Sequence, residues 1–323
     1  DTSNMTSMSK MFYKSTSLTN IDLSGFDTSK VVNMNGMFTG CTNLKTLDVS
    51  NFKTSKVTDM NNMFEDCSSL TTLDLSNFDT SNVTTMGNPY SYGYGGMFRN
   101  CSSLTNLNIS SFNTSKVKLM SNMFHGCSSL VTLDLSNFDT SNVTAMASMF
   151  EKCTSLKNLN LSSFNTSKVT DMNYMFVNCK SLADLNLSSF NTSSVQTFKQ
   201  MFYTCSSLVN LDLSSFDTSN AISMWHMFSG SSNLETLDLS NFTTSKLETT
   251  YFMFYNCSKL KTIYVSNEWV TTSLKTSSGM FTNCYSLIGT SPEGITTKYD
   301  SSKIDASMAN YTNGYLTYKK NTN

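Results

Sequence analysis

The dipeptide Met-Phe starts at Met11, Met37, Met63, Met97, Met123, Met149, Met175, Met201, Met227, Met253 and Met280. Successive starts lie 26 residues apart, except for one gap of 34 between Met63 and Met97 and one of 27 between Met253 and Met280. A period of this length marks a repeat in which each unit is one small element, unable to bury its own apolar side. Stacked units cover one another, so such a chain folds as a quasi-linear array held by nearest-neighbour contacts. Within the period the apolar positions barely change. One unit places Leu130, Leu133, Leu135, Phe138, Val143, Met146, Met149, Phe150 and Cys153 among Ser, Thr, Asn and Asp.

Leu-x-x-Leu-x-Leu is a short strand with alternate residues inward, and the remainder of the unit reads as a turn and an irregular return. Thr, Val, Ser and Asn between the apolar positions argue against helix. The expected fold is a repeat solenoid, leucine-rich-repeat-like, with one short parallel β-strand per coil and about ten to eleven coils. Parallel strands step by about 4.8 Å, so ten strands predict a stack roughly 50 Å long. We assign residues 1–289 to this solenoid, with 87–96 as an inserted loop, and 290–323 to a C-terminal cap or tail. The first coil shows no evident cap. Asp1 already falls inside the pattern, which points to a mature or trimmed piece of a longer chain.

The repeat resembles the BspA-type leucine-rich repeats of bacterial surface proteins. The match lies in Leu-x-x-Leu-x-Leu followed by Met-Phe-x-x-Cys-x-x-Leu, and it runs from Met11 to Leu287; Asn313 to Tyr318 is similar to the closing segment of such arrays. The chain departs from ordinary leucine-rich repeats in placing Phe, as at Phe138, where Asn usually follows the strand. That departure predicts an aromatic stack in place of the usual asparagine ladder. The resemblance implies an extracellular or cell-surface location and a role in adhesion or host interaction.

Several functions are disfavoured by composition. Lys and Arg number 22 against 23 Asp and Glu, so no nucleic-acid partner is expected. No apolar run approaches the roughly 18 residues of a membrane span. Neither a phosphate loop, a nucleophile elbow nor a paired-carboxylate motif appears, so we expect no enzyme and no cofactor. All nine cysteines share one register, with Ser15 and Ser231 in the same place in two other coils. Parallel side chains one coil apart are too distant for a disulfide, which needs Cβ atoms about 3.8 Å apart. Only His125 and His226 could assist a zinc site, so we read the cysteines as buried free thiols and assign no metal. The recurrent methionines read as deformable filler.

Acid and amide alternate between coils. Asp74 accompanies Asp79 and Asn82, then Asn108 accompanies Asn113 and Lys116, then Asp134 accompanies Asp139 and Asn142, and Asn160 accompanies Asn165 and Lys168. Interposed amides keep stacked carboxylates apart. A calcium ladder is the competing explanation, but each row offers one carboxylate per coil where calcium wants six to eight converging oxygens. The outward strand residues are small and polar, and Asp134 and Asn160 stand as candidate ligand contacts on that face. Each Thr-Ser pair before Val, such as Thr140-Ser141, is expected to tie turns together by hydroxyl–backbone bonds.

The eight extra residues of the long gap include Tyr90, Tyr92 and Tyr94 among glycines. Three amphipathic rings on a protruding loop suit recognition, so they are candidate ligand-binding residues. Together these features predict a non-enzymatic, adhesin-like interaction module. Its partner is expected to be a protein or glycan on a host or neighbouring cell. The alternative is a structural spacer or fibre subunit assembling through its ends.

Overall fold

The computed structural model describes residues 1–89 and 95–320. They pack as two compact units, Asp1–Lys168 and Val169–Asn323. Both units are built from the same coil, and in each the coil is a leucine-rich-repeat rung.

In the first unit, β1 (Thr72–Asp74) pairs in parallel with β2 (Asn106–Asn108), with Leu73 opposite Leu107. β3 (Thr132–Leu133) pairs with β4 (Asn158–Leu159) in the same way. The strands are short for a local reason. Each strand ends on or one residue before an Asp or Asn, whose side chain accepts the N–H two residues on and withdraws it from the ladder. Ser76 N–H reaches Asp74 Oδ1 at 2.9 Å and Ser136 N–H reaches Asp134 Oδ1 at 2.9 Å. At 47–49 the extended segment carries no strand ladder although Val49 stays buried.

In the second unit, β5 (Thr236–Asp238) pairs with β6 (Thr262–Val265) in register. Here the stack departs from the expected order. β7 (Ile288–Thr290) forms an antiparallel hairpin with β8 (Thr296–Lys298), and the tail strand β9 (Thr317–Tyr318) enters between β6 and β7. Gly289 permits this: a Cβ there would lie 2.2 Å from Gly314 O. A 3₁₀ turn, Ala306–Met308, precedes the tail strand. The single extra residue of the 27-residue step falls beside Trp269, which is buried and donates its indole N–H to Ala309 O at 3.2 Å.

A second parallel ladder lies two residues past the Val position, which Ala221 and Leu247 take in two coils. Single bridges join Ser7, Asn33, Asp59, Thr85, Leu119 and Ala145 in turn, and Thr197, Ser223, Thr249 and Thr276 in turn. The return segment is regular as well. Met34, Gly36, Phe38 and Gly40 send their N–H groups to Asp59, Asn61, Met63 and Glu65 of the next coil, at 2.8–3.0 Å. The residues between them bond back three places within their own coil, as Met37 N–H does to Met34 O. The return is thus a run of turns in which donors alternate between the two directions, and the backbone of each coil is satisfied without helix.

The core is columnar. The Met-Phe phenylalanines stack at 5.3–5.9 Å from Phe12 to Phe150, and at 5.6–5.7 Å from Phe176 to Phe281. The phenylalanines that follow the strand, as in Phe112–Phe138, stack more loosely at 6.4–6.5 Å. Cys153 Sγ–H bonds Phe124 O at 3.1 Å, and Ser231 Oγ–H makes the equivalent bond to Phe202 O at 2.8 Å. All nine cysteines are buried and free.

The aromatic column does not displace the asparagine ladder. It shifts by one residue instead. Asn51, Asn77, Asn137 and Asn241, each preceding a Phe, donate from Nδ2 to carbonyls of the previous coil; Asn137 reaches Ile109 O at 3.2 Å and Phe112 O at 2.8 Å. Ser111, Ser163 and Ser215 make the corresponding bond in the other coils.

Candidate functional site

Threonines build the turn beneath the polar face. Thr140 is fully buried; its hydroxyl donates to Asn165 O at 2.9 Å and accepts Asn165 N–H at 2.8 Å. The same double bond recurs from Thr28, Thr54, Thr80, Thr192, Thr218 and Thr244. Each coil therefore clips the next with one hydroxyl, and the adjacent serines remain at the surface.

The alternation of acid and amide coils has a cross-coil partner. Lys116 Nζ bonds Asn82 Oδ1 at 2.7 Å, and Asn82 Nδ2 bonds Ser55 O at 2.8 Å. The pairs Lys30–Asn4, Lys168–Asn142 and Lys246–Asn220 repeat the lysine–amide contact at 2.7 Å. Wherever a lysine coil follows an asparagine coil the lysine thus reaches that asparagine, which gives the alternation through Asn82, Lys116, Asn142 and Lys168 a physical basis.

Asp134 and Asn160 lie on adjacent coils, exposed, one residue past the paired ends of β3 and β4. Asp134 Oδ1 accepts from Ser136 N–H at 2.9 Å and Asn160 Oδ1 from Ser162 N–H at 3.0 Å. The Ser136 backbone bond holds the Asp134 carboxyl below the usual carboxylate range. Further along the same face, Asp48, Asp74, Thr72, Asn106 and Asn108 border a shallow hollow of ≈ 650 Å³. Its acids are tied to serine N–H groups in the same manner.

Tyr90, Tyr92 and Tyr94 lie outside the described residues. The base of their loop is described. Gly87 and Gly96 form an antiparallel bridge, and Met97 N–H closes on Met86 O at 2.9 Å. These two glycines serve close approach, since a Cβ at Gly87 would meet Ser121 O at 2.4 Å and one at Gly96 would meet Asn122 O at 2.2 Å. Gly95 holds a positive φ of 123°, where glycine is favoured. Buried Glu65 accepts Gly95 N–H at 3.1 Å and pairs with Arg99 at 3.2 Å. Burial holds its carboxyl above the usual range, against the opposing pull of Arg99.

One surface was not anticipated from the sequence. In the second unit, Tyr174, Tyr203, Trp225, His226, Tyr251 and Phe252 cluster at the return edge, with Lys199 Nζ 4.0 Å from the Trp225 ring centroid. The signal was present. At the positions just before Met-Phe, where the first unit has Asn35-Gly36 and Asn61-Asn62, the second has Trp225-His226 and Tyr251-Phe252. It was masked because scattered aromatics in a repeat look like core.

Strands of the Leu-x-x-Leu-x-Leu type, joined coil to coil by parallel bridges and returning without helix, make each unit a leucine-rich-repeat solenoid. The chain belongs to the family described as Mycoplasma protein of unknown function, DUF285, whose model matches residues 1–95, 92–208 and 181–291. Among solved structures it is similar to a leucine rich cell surface protein from Faecalibacterium prausnitzii A2-165, at 18% identity and TM-score 0.41, over 86% of this chain and 74% of that one. It is also similar to an internalin from Listeria monocytogenes str. 4b F2365, at 15% identity and TM-score 0.23, over 84% of this chain and 66% of that one. Nothing matches among curated proteins. No helix of the described residues is long and apolar enough to cross a membrane.

Proposed function

We propose that this chain is a non-enzymatic, adhesin-like interaction module of the BspA type. In this reading it acts outside the cell or on its surface and binds a protein or glycan of a host or neighbouring cell. Residues 1–289 form the recognition solenoid and 290–323 close it. The observation that carries the reading is the contrast between an almost uniform interior and a varied exterior. Met-Phe-x-x-Cys and its leucines recur with little change, while the exposed residue after the first leucine of each coil runs Thr19, Lys45, Thr71, Thr105, Val131 and Lys157 in the first unit and Ala183, Val209, Glu235 and Lys261 in the second. A scaffold that only had to span distance has no use for such variety; one that discriminates among partners does. The eight-residue insertion, which leaves and re-enters the coil at the bridged Gly87 and Gly96, adds a further variable surface.

The test is retention of the intact chain on arrays of matrix proteins and glycans, beside a version lacking Asn88–Gly95. Retention by the intact chain supports the module, and loss of it on excision assigns the contact to Tyr90, Tyr92 and Tyr94. Unchanged retention moves the contact to the solenoid faces, where Asp134→Ala and Asn160→Ala report on the strand side. A chain that retains nothing, yet grows end to end in light scattering, is a spacer, and the reading fails.

A further inference from the structure

The ring cluster of the second unit is costly to build, and the cost is visible in the backbone. Tyr174, His226 and Phe252 hold left-handed φ values of 62°, 55° and 51°. A bulky residue in that region costs on the order of 1 kcal/mol or more, and observed strain of this kind is a pointer to function. Elsewhere the same position holds residues that accept it readily, such as Gly36, Asn62 and Asn122.

What the strain achieves is a fixed platform. Phe252 lies over Gly279, where a Cβ would come within 2.2 Å of its ring, and stacks on His226 at 5.2 Å and 28°. Tyr251 stands edge-on against Phe252 at 4.3 Å, and Trp225 edge-on against His226 at 5.0 Å. Trp225 and Tyr251 are thereby held with part of each ring exposed. With Lys199, Ser223, Thr249 and Thr276 they line a hollow of ≈ 320 Å³.

The chemistry of the lining selects among ligands. Ser223, Thr249 and Thr276 are bridged in succession, so their hydroxyls step by one coil, about 4.8 Å, along the stack. Trp225 and Tyr251 follow two residues later on two of the same coils, giving a row of rings beside a row of hydroxyls. An extended peptide would need free backbone groups to add to. Here they are already paired between coils: Met224 N–H to Thr249 O, His226 N–H to Tyr251 O and Thr250 N–H to Thr276 O, each at 3.0 Å. A sugar needs none of them. Its C–H face stacks on a ring and its hydroxyls exchange hydrogen bonds with serine and threonine.

We propose that Trp225, Tyr251, Ser223, Thr249 and Thr276 form a saccharide subsite for a hexopyranose chain lying along the stack, about one sugar per coil. This rests on the interaction-module reading and moves the principal contact from the strand face and the inserted loop to the return edge of the second unit. The chain has two tryptophans, and Trp269 is buried, so a ligand-induced emission change reports on Trp225.

The experiment titrates the full chain with a panel of hexose and N-acetylhexosamine hexasaccharides, following tryptophan emission and, in parallel, array retention. The expected result is a saturable shift with at least one oligosaccharide. Array retention weakens tenfold or more in Trp225→Ala and Tyr251→Ala, and stays within about threefold in Trp225→Tyr and in the loop-excised chain. Trp225→Tyr keeps a ring, so it separates loss of the platform from loss of fold, which circular dichroism also monitors. Saccharide binding that Trp225→Ala leaves unchanged overturns the subsite. So does a chain that holds matrix protein but no saccharide, and that result leaves the module reading standing. A chain that retains no ligand of any class overturns both.

Discussion

Two residues in every coil, the one before Met and the one three after it, sit beside the alternation of hydrogen bonds in the return, and nearly all of them are left-handed. Lys10 and Lys14, Asn62 and Asp66, Gln200 and Thr204 share this conformation with Gly36 and Gly40. Asn and Gly tolerate it; a β-branched residue does not. Thr204, at φ 57°, is the clearest misfit. Thr204→Gly is expected to stabilise the protein by about 1 kcal/mol, or roughly 3 °C in a thermal melt followed by circular dichroism. The thiols are a second residue-scale matter. Burial pushes Cys153, Cys205 and Cys284 up to about 12 from 9.0. An acid whose folded pKa is raised contributes stability below its unfolded pKa and loses it as pH rises towards the folded one. The urea midpoint should therefore hold below pH 8 and fall between pH 9 and 12, and Cys153→Ser should flatten part of that fall. Native thiols should also resist a thiol reagent at pH 8 until the chain unfolds.

At the scale of the element, the strand is too short to hold coils together alone, and side-chain clips complete the task. Thr140→Val keeps the volume but removes the hydroxyl that bonds both the N–H and the C=O of Asn165, and should cost about 2 kcal/mol in urea unfolding with an unchanged m-value. Phe138→Ala removes a ring from the looser column and should cost about 3–4 kcal/mol by the same measure. The two changes test different halves of the coil, one polar and one apolar. The structural role of Thr140 was legible in the sequence, because a hydroxyl repeated at a turn has few other uses; that its neighbour Ser141 takes no such hydroxyl–backbone bond to the next coil was not. The asparagine ladder was not. Its residues, Asn77 and Asn137 among them, give way to serine in other coils and lie one place from the usual position, so the motif alone suggested that they had been replaced.

At the scale of the whole molecule, the repeat makes the chain modular. The long gap exceeds the period by eight residues, and Met97 N–H already closes on Met86 O across it. Excising Asn88–Gly95 restores the period, and the thermal midpoint is expected to move by no more than about 3 °C, since neighbouring coils contribute most of the stability. The aspartate rows recur through both units, yet each acid such as Asp74 or Asp217 is capped by a serine N–H two residues on. Calorimetric titration with millimolar calcium should show no uptake; a saturable heat would mean that the rows converge in a way the serine caps forbid.

The sequence by itself determined the coil: its length, its inward residues, its buried thiols and the parallel stacking of its strands. Period and polarity suffice for these, because a unit of 26 residues has only its neighbours to bury against. Tertiary structure alone decided which partner each polar group takes. The entry of β9 between β6 and β7, the reach of Lys116 to Asn82 and the gathering of Trp225, His226, Tyr251 and Phe252 depend on distances across coils. A repeat places equivalent residues in register, but their side chains are settled by the packing of one coil on the next, and no single period of the sequence contains that contact.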